Sequence, residues 1–439
     1  MRRQQARIFE FCLSAAIAGS ILTALPGGAR AGGFGVEQSA YFQGMSYAGA
    51  ATGGPSLASI SWNPATASYA GPGLLMEASA SYLFLSADMT VTNAGAQLPP
   101  PGSAETDIGR NALIGASYGT YRVNDKTVLG LSLTSPFGLG TKPDDTAWAG
   151  QYQGITTYIF NVNAAPMLSY EVMPGVSLGA GLQVDYFGLK RQTLLTPLGL
   201  ANFKADDIGV GYVLGIDVEP APGTSIGLGF RSSIDHTAEG HVELGNIAKA
   251  PAQASIQLPE MLSLGVRHAV TPSARLLGEV EWVHWSRLNV IPVILQGPLD
   301  GVAPAGMTVA NFDFQWRDGW LFALGGEYDW SRELTLRTGV AYEISPVDGA
   351  TTRLVQDPDS DRIWASLGAS YKMDDKTRLD FAYSHVFYEN DAPFNRVTGS
   401  TLFATPPLLG TADVSMDLIS IGLKIDLGEP FPARHPVLK

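Results

Sequence analysis

Alternating apolar and polar positions run through most of this chain. In one such segment, Leu336, Val340 and Tyr342 fall on one face, while Arg337 and Glu343 fall on the other. Successive side chains of a β-strand point to opposite faces of the sheet. This period of two therefore predicts strands that face an apolar medium on one side and a polar medium on the other.

Fourteen segments of the chain are predicted to be strands. They span residues 73–92, 108–122, 126–135, 156–171, 175–192, 206–219, 223–235, 259–270, 273–287, 318–330, 332–346, 362–372, 376–388 and 414–427. An even number of antiparallel strands places both ends of the chain on the same side of the sheet.

The predicted connections alternate between short and long. The short ones hold turn-forming Asn, Asp, Pro or Gly residues in most cases and lie at 124–125, 174–175, 220–223, 271–272, 331–332 and 374–375. The long ones span 93–107, 136–155, 193–205, 236–258, 288–317, 347–361 and 389–413. Barrels of the bacterial outer membrane have this arrangement, with short turns in the periplasm and long loops outside.

These features together predict an all-β fold, a 14-stranded antiparallel transmembrane β-barrel. Aromatic residues that favour the membrane–water boundary lie close to the short turns, at Tyr121, Tyr170, Tyr328, Trp330 and Tyr371. A soluble β-sandwich would explain the aromatic residues but not the alternating loop lengths. Lipid offers no partner for an unpaired backbone N–H, so the barrel must close on itself.

The first 31 residues have the features of a secretory signal peptide. Arg2, Arg3 and Arg7 precede an apolar run over 11–25, which is shorter than the ~20 residues that a spanning helix needs. An A-x-A cleavage site follows at 29–31. Cleavage would remove the only cysteine and leave 24 basic and 40 acidic residues, a net charge of −16. We therefore expect no disulfide and no binding of nucleic acid.

The remaining chain is predicted to have three parts. Residues 32–72 are rich in Gly and Ala and form no strand pattern, and the lumen of a 14-stranded barrel is too wide for wall side chains to fill. Residues 32–72 are therefore predicted to be an N-terminal hatch that plugs the barrel, which spans 73–427. Residues 428–439 contain repeated prolines, which cannot continue a strand, and are predicted to be a periplasmic tail.

Short motifs in order along nearly the whole chain resemble those of the FadL-type transporters of long-chain fatty acids and aromatic hydrocarbons. They lie at 33–35, 46–49, 63–65, 135–139, 145–150, 258–261, 283–286, 337–341, 345–347 and 358–364. The resemblance implies uptake of hydrophobic compounds across the outer membrane of a Gram-negative bacterium. It also implies that the N-terminal end of the hatch, with Phe34, reaches toward the ligand and that a shift of the hatch opens a path.

A capture groove is predicted in two long loops, because exposed apolar residues are costly unless they form a binding surface. The predicted substrate-binding residues are Phe34, Phe137, Leu139, Trp148, Tyr152, Leu194, Leu195, Leu198 and Leu200. Asn63, Pro64 and Ala65 are predicted to anchor the hatch, and Pro136 is predicted to interrupt strand pairing where the ligand leaves sideways. Charges are expected to face the lumen or its rim, at Arg337, Glu343, Glu279, Glu281, Asp361 and Asp380, because lipid-facing charge is costly.

The residues leave the substrate open between long-chain fatty acids, which we favour, and aromatic hydrocarbons such as toluene. A carboxylate would need a loop cation, and the candidates are Lys142, Arg191, Lys204, Lys249, Arg353 and Arg396. An esterase or lipase, which could use Ser384 with His385 or Ser286 with His284, is a rival from another class. A general porin is a second rival, although it needs no apolar plug.

No enzyme activity, cofactor or metal site is predicted. The histidines lack the H-x-x-x-H spacing of common zinc sites, and His236 and His241 lie five residues apart. The expected partners are hydrophobic small molecules, the lipid and lipopolysaccharide of the outer membrane, and the machinery that assembles its barrels. We expect the protein to be a monomer.

Overall fold

A computed structural model describes residues 39–96, 102–396 and 406–428 of the protein. The predicted signal peptide, Phe34 with its neighbouring glycines, and residues 429–439 of the predicted tail lie outside the described residues. Within the described ranges, no helix has both the length and the apolar character needed to cross a membrane.

Fourteen antiparallel strands form the wall of a closed barrel. In chain order they are β1 (Leu74–Asn93), β2 (Ala112–Arg122), β3 (Thr127–Thr134 and Gly138–Thr141), β4 (Thr156–Met173), β5 (Val176–Thr196), β6 (Gly199–Ala221), β7 (Thr224–Arg231 and Ile234–Leu244), β8 (Ala248–Leu258 and Met261–Ala269), β9 (Ala274–Val283), β10 (Gly319–Asp329), β11 (Leu334–Ile344), β12 (Arg362–Lys372), β13 (Thr377–Tyr388) and β14 (Leu408–Gly428). β1 pairs with both β2 and β14, which closes the ring of strands. Four short strands lie in the loops: Glu105–Asp107, Val290–Leu295, Thr308–Asp313 and Ala392–Arg396.

The two faces of the wall differ as the alternation predicts. On β10, Phe322 and Leu324 are exposed on the outer face, whereas Leu321 and Ala323 are buried on the inner face. Aromatic side chains near the short turns are exposed as well, including Tyr328, which is positioned to anchor the barrel at the membrane boundary. The outer face thus presents the apolar surface that lipid requires.

The predicted loops 193–205 and 236–258 are wrong, because both segments are strands. β5 and β6 continue to a tight turn at 197–198, and β7 and β8 continue to a turn at 245–247. Pro197 and Gly199 interrupt the pattern, yet they form the turn itself, with Gly199 at φ +112°. The segment 236–258 alternates alanine with polar residues, which gives little apolar contrast. β14 also begins at 408 rather than 414, and β2 at 112 rather than 108.

Residues 39–73 fill the barrel lumen as the hatch. They form the helix α1 (Ala40–Gln43) and two 3₁₀ helices, Leu57–Ser61 and Pro64–Tyr69. The side chains of Ser39, Ser56 and Asn63 each accept a hydrogen bond from the first turn that follows, a stabilising cap for a helix start.

Glycines in the wall allow the hatch to approach its backbone closely. A Cβ atom added at Gly229 would lie 1.8 Å from the carbonyl oxygen of Trp62, and one at Gly215 would lie 1.9 Å from Oδ1 of Asn63. Such contacts are impossible for any other residue type. Close approach to the hatch therefore explains why several inward strand positions are glycine.

Candidate functional site

An apolar cavity of about 330 Å³ lies above the hatch, on the side of the long loops. Its wall consists of the outer parts of β3 to β8, and a hairpin formed by Val290–Leu295 and Thr308–Asp313 covers it. The hairpin is joined to β8 by pairing of Ala252 with Leu295. The volume is within the range of small-molecule sites.

Only some of the residues that were predicted to form the capture groove line this cavity. Leu139, Tyr152 and Leu194 line the cavity, whereas Phe137 is buried beside it against the ring of Trp285. The other predicted residues within the described ranges do not line it. Trp148 is buried in a separate cluster with Phe394, Leu195 is half-buried, and Leu198 and Leu200 are exposed next to the tight turn between β5 and β6. Leu198 and Leu200 thus lie outside the cavity, because the tight turn directs both side chains outward, and their role in capture stays a prediction.

Arg396 is the loop cation that lines the cavity. Its guanidinium donates to the backbone oxygens of Thr351 at 2.6 Å and Asp313 at 3.0 Å, and the residue is 7% exposed. Within the described ranges no carboxylate lies near enough to form an ion pair with it. Arg353 is also buried, but it binds backbone oxygens away from the cavity lining. A buried guanidinium with spare donors is suited to an anionic group.

A layer of polar side chains forms the floor of the cavity. His236 lies between Asp185 and Asp207, at 3.1 and 3.2 Å, and its ring packs against Phe187 of the cavity lining. Asn163 donates to Asp185 at 2.8 Å and accepts from Arg231, whose guanidinium also donates to the backbone oxygen of Ser61 in the hatch. This polar layer therefore separates the cavity from the hatch.

On three strands, a side chain that lines the cavity is followed two residues nearer the hatch by a side chain of the polar layer. β4 has Ile159 and then Asn161, and β5 has Phe187 and then Asp185. β7 presents Ala238 and then His236. This layer is not among the features predicted from the sequence, although the alternating polar residues within 161–163 and 183–185 are a signal for it.

The wall is interrupted beside Pro136. β2 and β3 pair over residues 117–122 and 128–133. Beyond this stretch, the chain segments that contain them next meet where the backbone N–H of Lys142 donates to the backbone oxygen of Ile108. Between these points, residues 112–116 pair with β1 on one side but, among the described residues, with no strand on the other. We call this gap in the backbone pairing, flanked by residues 112–116 and 134–141, the window; Leu139 beside it lines the cavity, and Ser135 bonds to Asn161 of the polar layer.

The chain was compared with known families and structures. The family model for outer membrane protein transport proteins (OMPP1/FadL/TodX) matches residues 22–426. The chain belongs to this family. Its relatives include the long-chain fatty acid transport protein of Escherichia coli O6:H1, 25% identical over 70% of this chain and 76% of that protein. Outer membrane protein P1 of Haemophilus influenzae strain Rd is 27% identical over 82% of this chain and 87% of its own.

Solved structures show the same fold. A FadL homologue of Pseudomonas aeruginosa has a TM-score of 0.80 at 21% identity, and covers 90% of this chain and 99% of its own. The toluene transporter TodX of Pseudomonas putida has a TM-score of 0.67 at 16% identity, and covers 91% and 100%. The chain is thus an outer-membrane barrel of the FadL/TodX family, which transports hydrophobic compounds.

Inward-facing charges of this FadL/TodX barrel bind the hatch. Glu281 accepts from the indole N–H of Trp62 at 3.0 Å, and Glu279 accepts from a hatch backbone N–H at 3.2 Å. Arg337 lies 4.0 Å from the ring centre of Tyr41 and bonds to Asp380. The other three predicted charges, of which Asp380 is one, bond to residues of the wall or its loops. Glu343 bonds to Arg362 and Trp364 of the wall, and Asp361 lies at the outer rim, where Ser345 and Tyr342 donate to it.

The predicted anchor of the hatch lies among backbone groups. The Asn63 side chain donates to the oxygens of Ala51 at 2.8 Å and Ile216 at 3.0 Å, and accepts from the N–H of Ala65 at 3.0 Å. Pro64 begins the following 3₁₀ helix. Further hatch contacts that the sequence analysis missed include Asp217, which accepts from the Tyr69 hydroxyl at 2.6 Å.

The residue pairs considered for hydrolysis do not form Ser–His dyads. Ser384 is fully buried and bonds to Ser366, whereas the neighbouring His385 bonds to Asp417 on the opposite face of β13. His284 bonds to Glu260 at 2.6 Å, while the backbone N–H of Ser286 donates to Asp318.

Proposed function

We propose that this FadL/TodX family member captures long-chain fatty acids in the apolar cavity, with the carboxylate at Arg396. The supporting observation is the buried guanidinium of Arg396 in a mostly apolar lining. Each methylene that leaves water contributes ~0.8 kcal/mol, so the cavity walls supply affinity for the chain. Arg396 supplies the selectivity for an acid, since a hydrocarbon gains nothing from a charge.

An aromatic hydrocarbon is the second candidate substrate. The fold is shared with toluene transporters, and the cavity lining includes aromatic rings such as Phe187, Phe203 and Phe314. A buried cation with no carboxylate partner is unfavourable beside a hydrocarbon ligand, which is why we prefer the acid.

Growth of a transporter-deficient host that carries this gene would separate the two substrates. We expect growth on oleate to be restored, and growth on toluene to remain at the level of the empty vector. Surface-exposed protein should be measured in both cultures. Rescue on toluene alone would refute the fatty acid assignment.

We further propose that the ligand leaves sideways through the window beside Pro136. An apolar chain that moved straight down would have to displace the hydrogen-bonded polar layer, which is costly in a buried site. The window lies at the level of that layer, since the hydroxyl of Ser135 donates to the backbone oxygen of Asn161. Lateral exit avoids both the polar layer and the charged contacts of the hatch.

The N-terminal end of the hatch is proposed to trigger release. Glycines around Phe34 leave the backbone permissive, while Asn63 fixes the base of the hatch. Deletion of residues 32–35 should reduce uptake far more than surface expression. Full uptake by a normally folded deletion variant would leave the moving end without support.

A further inference from the structure

Asp357 is a buried acid that faces the apolar cavity. It lies in the loop between β11 and β12, is 5% exposed, and its Oδ2 has no hydrogen-bond partner among the described residues. Burial and the nearby Asp359 carboxylate raise the pKa of Asp357 to about 8. At neutral pH the side chain is therefore mostly a carboxylic acid, which can both donate and accept a hydrogen bond.

Three other polar side chains of the lining have partners within the protein. Gln192 accepts from Thr157 at 2.7 Å, and Asn202 accepts from Thr193 at 2.6 Å. The amide of Gln356 donates to the backbone oxygen of Gln153. Asp357 thus differs from these three residues, because its buried Oδ2 has no such partner among the described residues.

Asp357 and Arg396 both line the cavity, and no ion pair joins them in the described part of the chain. A single head group bound at Arg396 would therefore leave Asp357 facing the acyl chain, where an unpaired polar group is unfavourable.

We propose that the preferred ligands are long-chain acids that carry a second oxygen group, such as a hydroxyl, along the acyl chain. This inference rests on the proposed function, because Arg396 must hold the carboxylate. The acid proton of Asp357 is donated to the ligand hydroxyl oxygen, and the other oxygen of Asp357 accepts from the ligand hydroxyl. Specificity then depends on the position of the hydroxyl relative to the carboxylate.

Binding measurements on the full-length protein in detergent micelles would test this. Isothermal titration at pH 7 would give Kd values for stearate and for hydroxystearates with the hydroxyl at different carbons. We expect at least one hydroxystearate to bind wild type about tenfold more tightly than stearate. Asp357→Leu should abolish this preference, and Asp357→Asn should retain part of it, because an amide also donates and accepts.

Arg396→Gln is the matched control. It should weaken the binding of all the acids while the ratio between hydroxystearate and stearate persists. Heat-modified mobility on a gel would verify that each barrel is folded. Equal affinities of wild type for every acid, or an unchanged preference in Asp357→Leu, would overturn the inference while leaving fatty acid capture intact. Wild type that binds no acid at all would refute the proposed function as well.

Discussion

The substitution Arg396→Gln tests the carboxylate site most directly. A guanidinium has five N–H donors, and backbone oxygens of Thr351 and Asp313 occupy two of them. The remaining donors are sufficient for one or two hydrogen bonds to a carboxylate. A hydrogen bond to a charged group contributes about 1.5–3 kcal/mol, so the affinity for oleate should fall about 10- to 100-fold.

The assay compares oleate with a neutral ligand of similar length, such as octadecane, in wild type and Arg396→Gln. The neutral ligand should bind both proteins equally, because its affinity depends on the apolar lining alone. Arg353→Gln is the control for loop structure. Arg353 joins the same two loops through the backbone oxygens of Asp359 and Pro393 but does not line the cavity. The reasoning fails if oleate affinity is unchanged in Arg396→Gln, or if Arg353→Gln lowers it equally.

Three further predictions concern the window, the hatch and Asp357. The double variant Ala116→Cys/Thr134→Cys, in a chain with no native cysteine after residue 12, would allow a disulfide across the window. The oxidised protein should bind oleate normally but should not take it up until the disulfide is reduced. Full uptake by the oxidised protein would place the exit elsewhere. Gly229→Ala should displace the hatch at Trp62, which would raise conductance in planar bilayers and cost about 1–3 kcal/mol of stability; wild-type conductance would contradict this. The folded pKa of Asp357 lies above the unfolded value of about 3.9, so the wild-type urea midpoint should fall as pH rises from about 4 to 8, because only the unfolded chain releases the proton. Asp357→Asn should flatten that profile, and parallel profiles would count against a protonated Asp357.

The membrane-spanning part of the fold could be predicted because lipid imposes a strong contrast between the two faces of each strand. Leu336 and Tyr342 alternate with Arg337 and Glu343, and their burial follows this order. Beyond the membrane that contrast disappears, since the outer parts of β5 to β8 contact water or loops. The outer hairpins were therefore predicted as loops, although a Gly-Asn pair at 245–246 marked one of their turns.

The cavity could be predicted only in part. Leu139, Tyr152 and Leu194 line it, because large apolar residues in outer segments must be covered. Asp357 and Arg396 reach it through contact between two loops that are distant in sequence, and no local pattern encodes such a contact. Whether a loop cation becomes buried, as Arg396 does, depends on the same long-range packing.

Closure of the wall by β1 and β14 also has a consequence for biogenesis. The first strand pairs with the last along nearly its full length, so no partial chain can satisfy the backbone of β1. The hatch is synthesised before every strand, yet its partners come from all around the ring, including Asp217, Glu281, Glu327 and Ser420. The hatch can therefore complete its contacts only after the whole ring has formed. A nonsense mutation anywhere before residue 408 would remove β14. The wall would then have two unpaired strand edges, and the hatch would lose its partner Ser420.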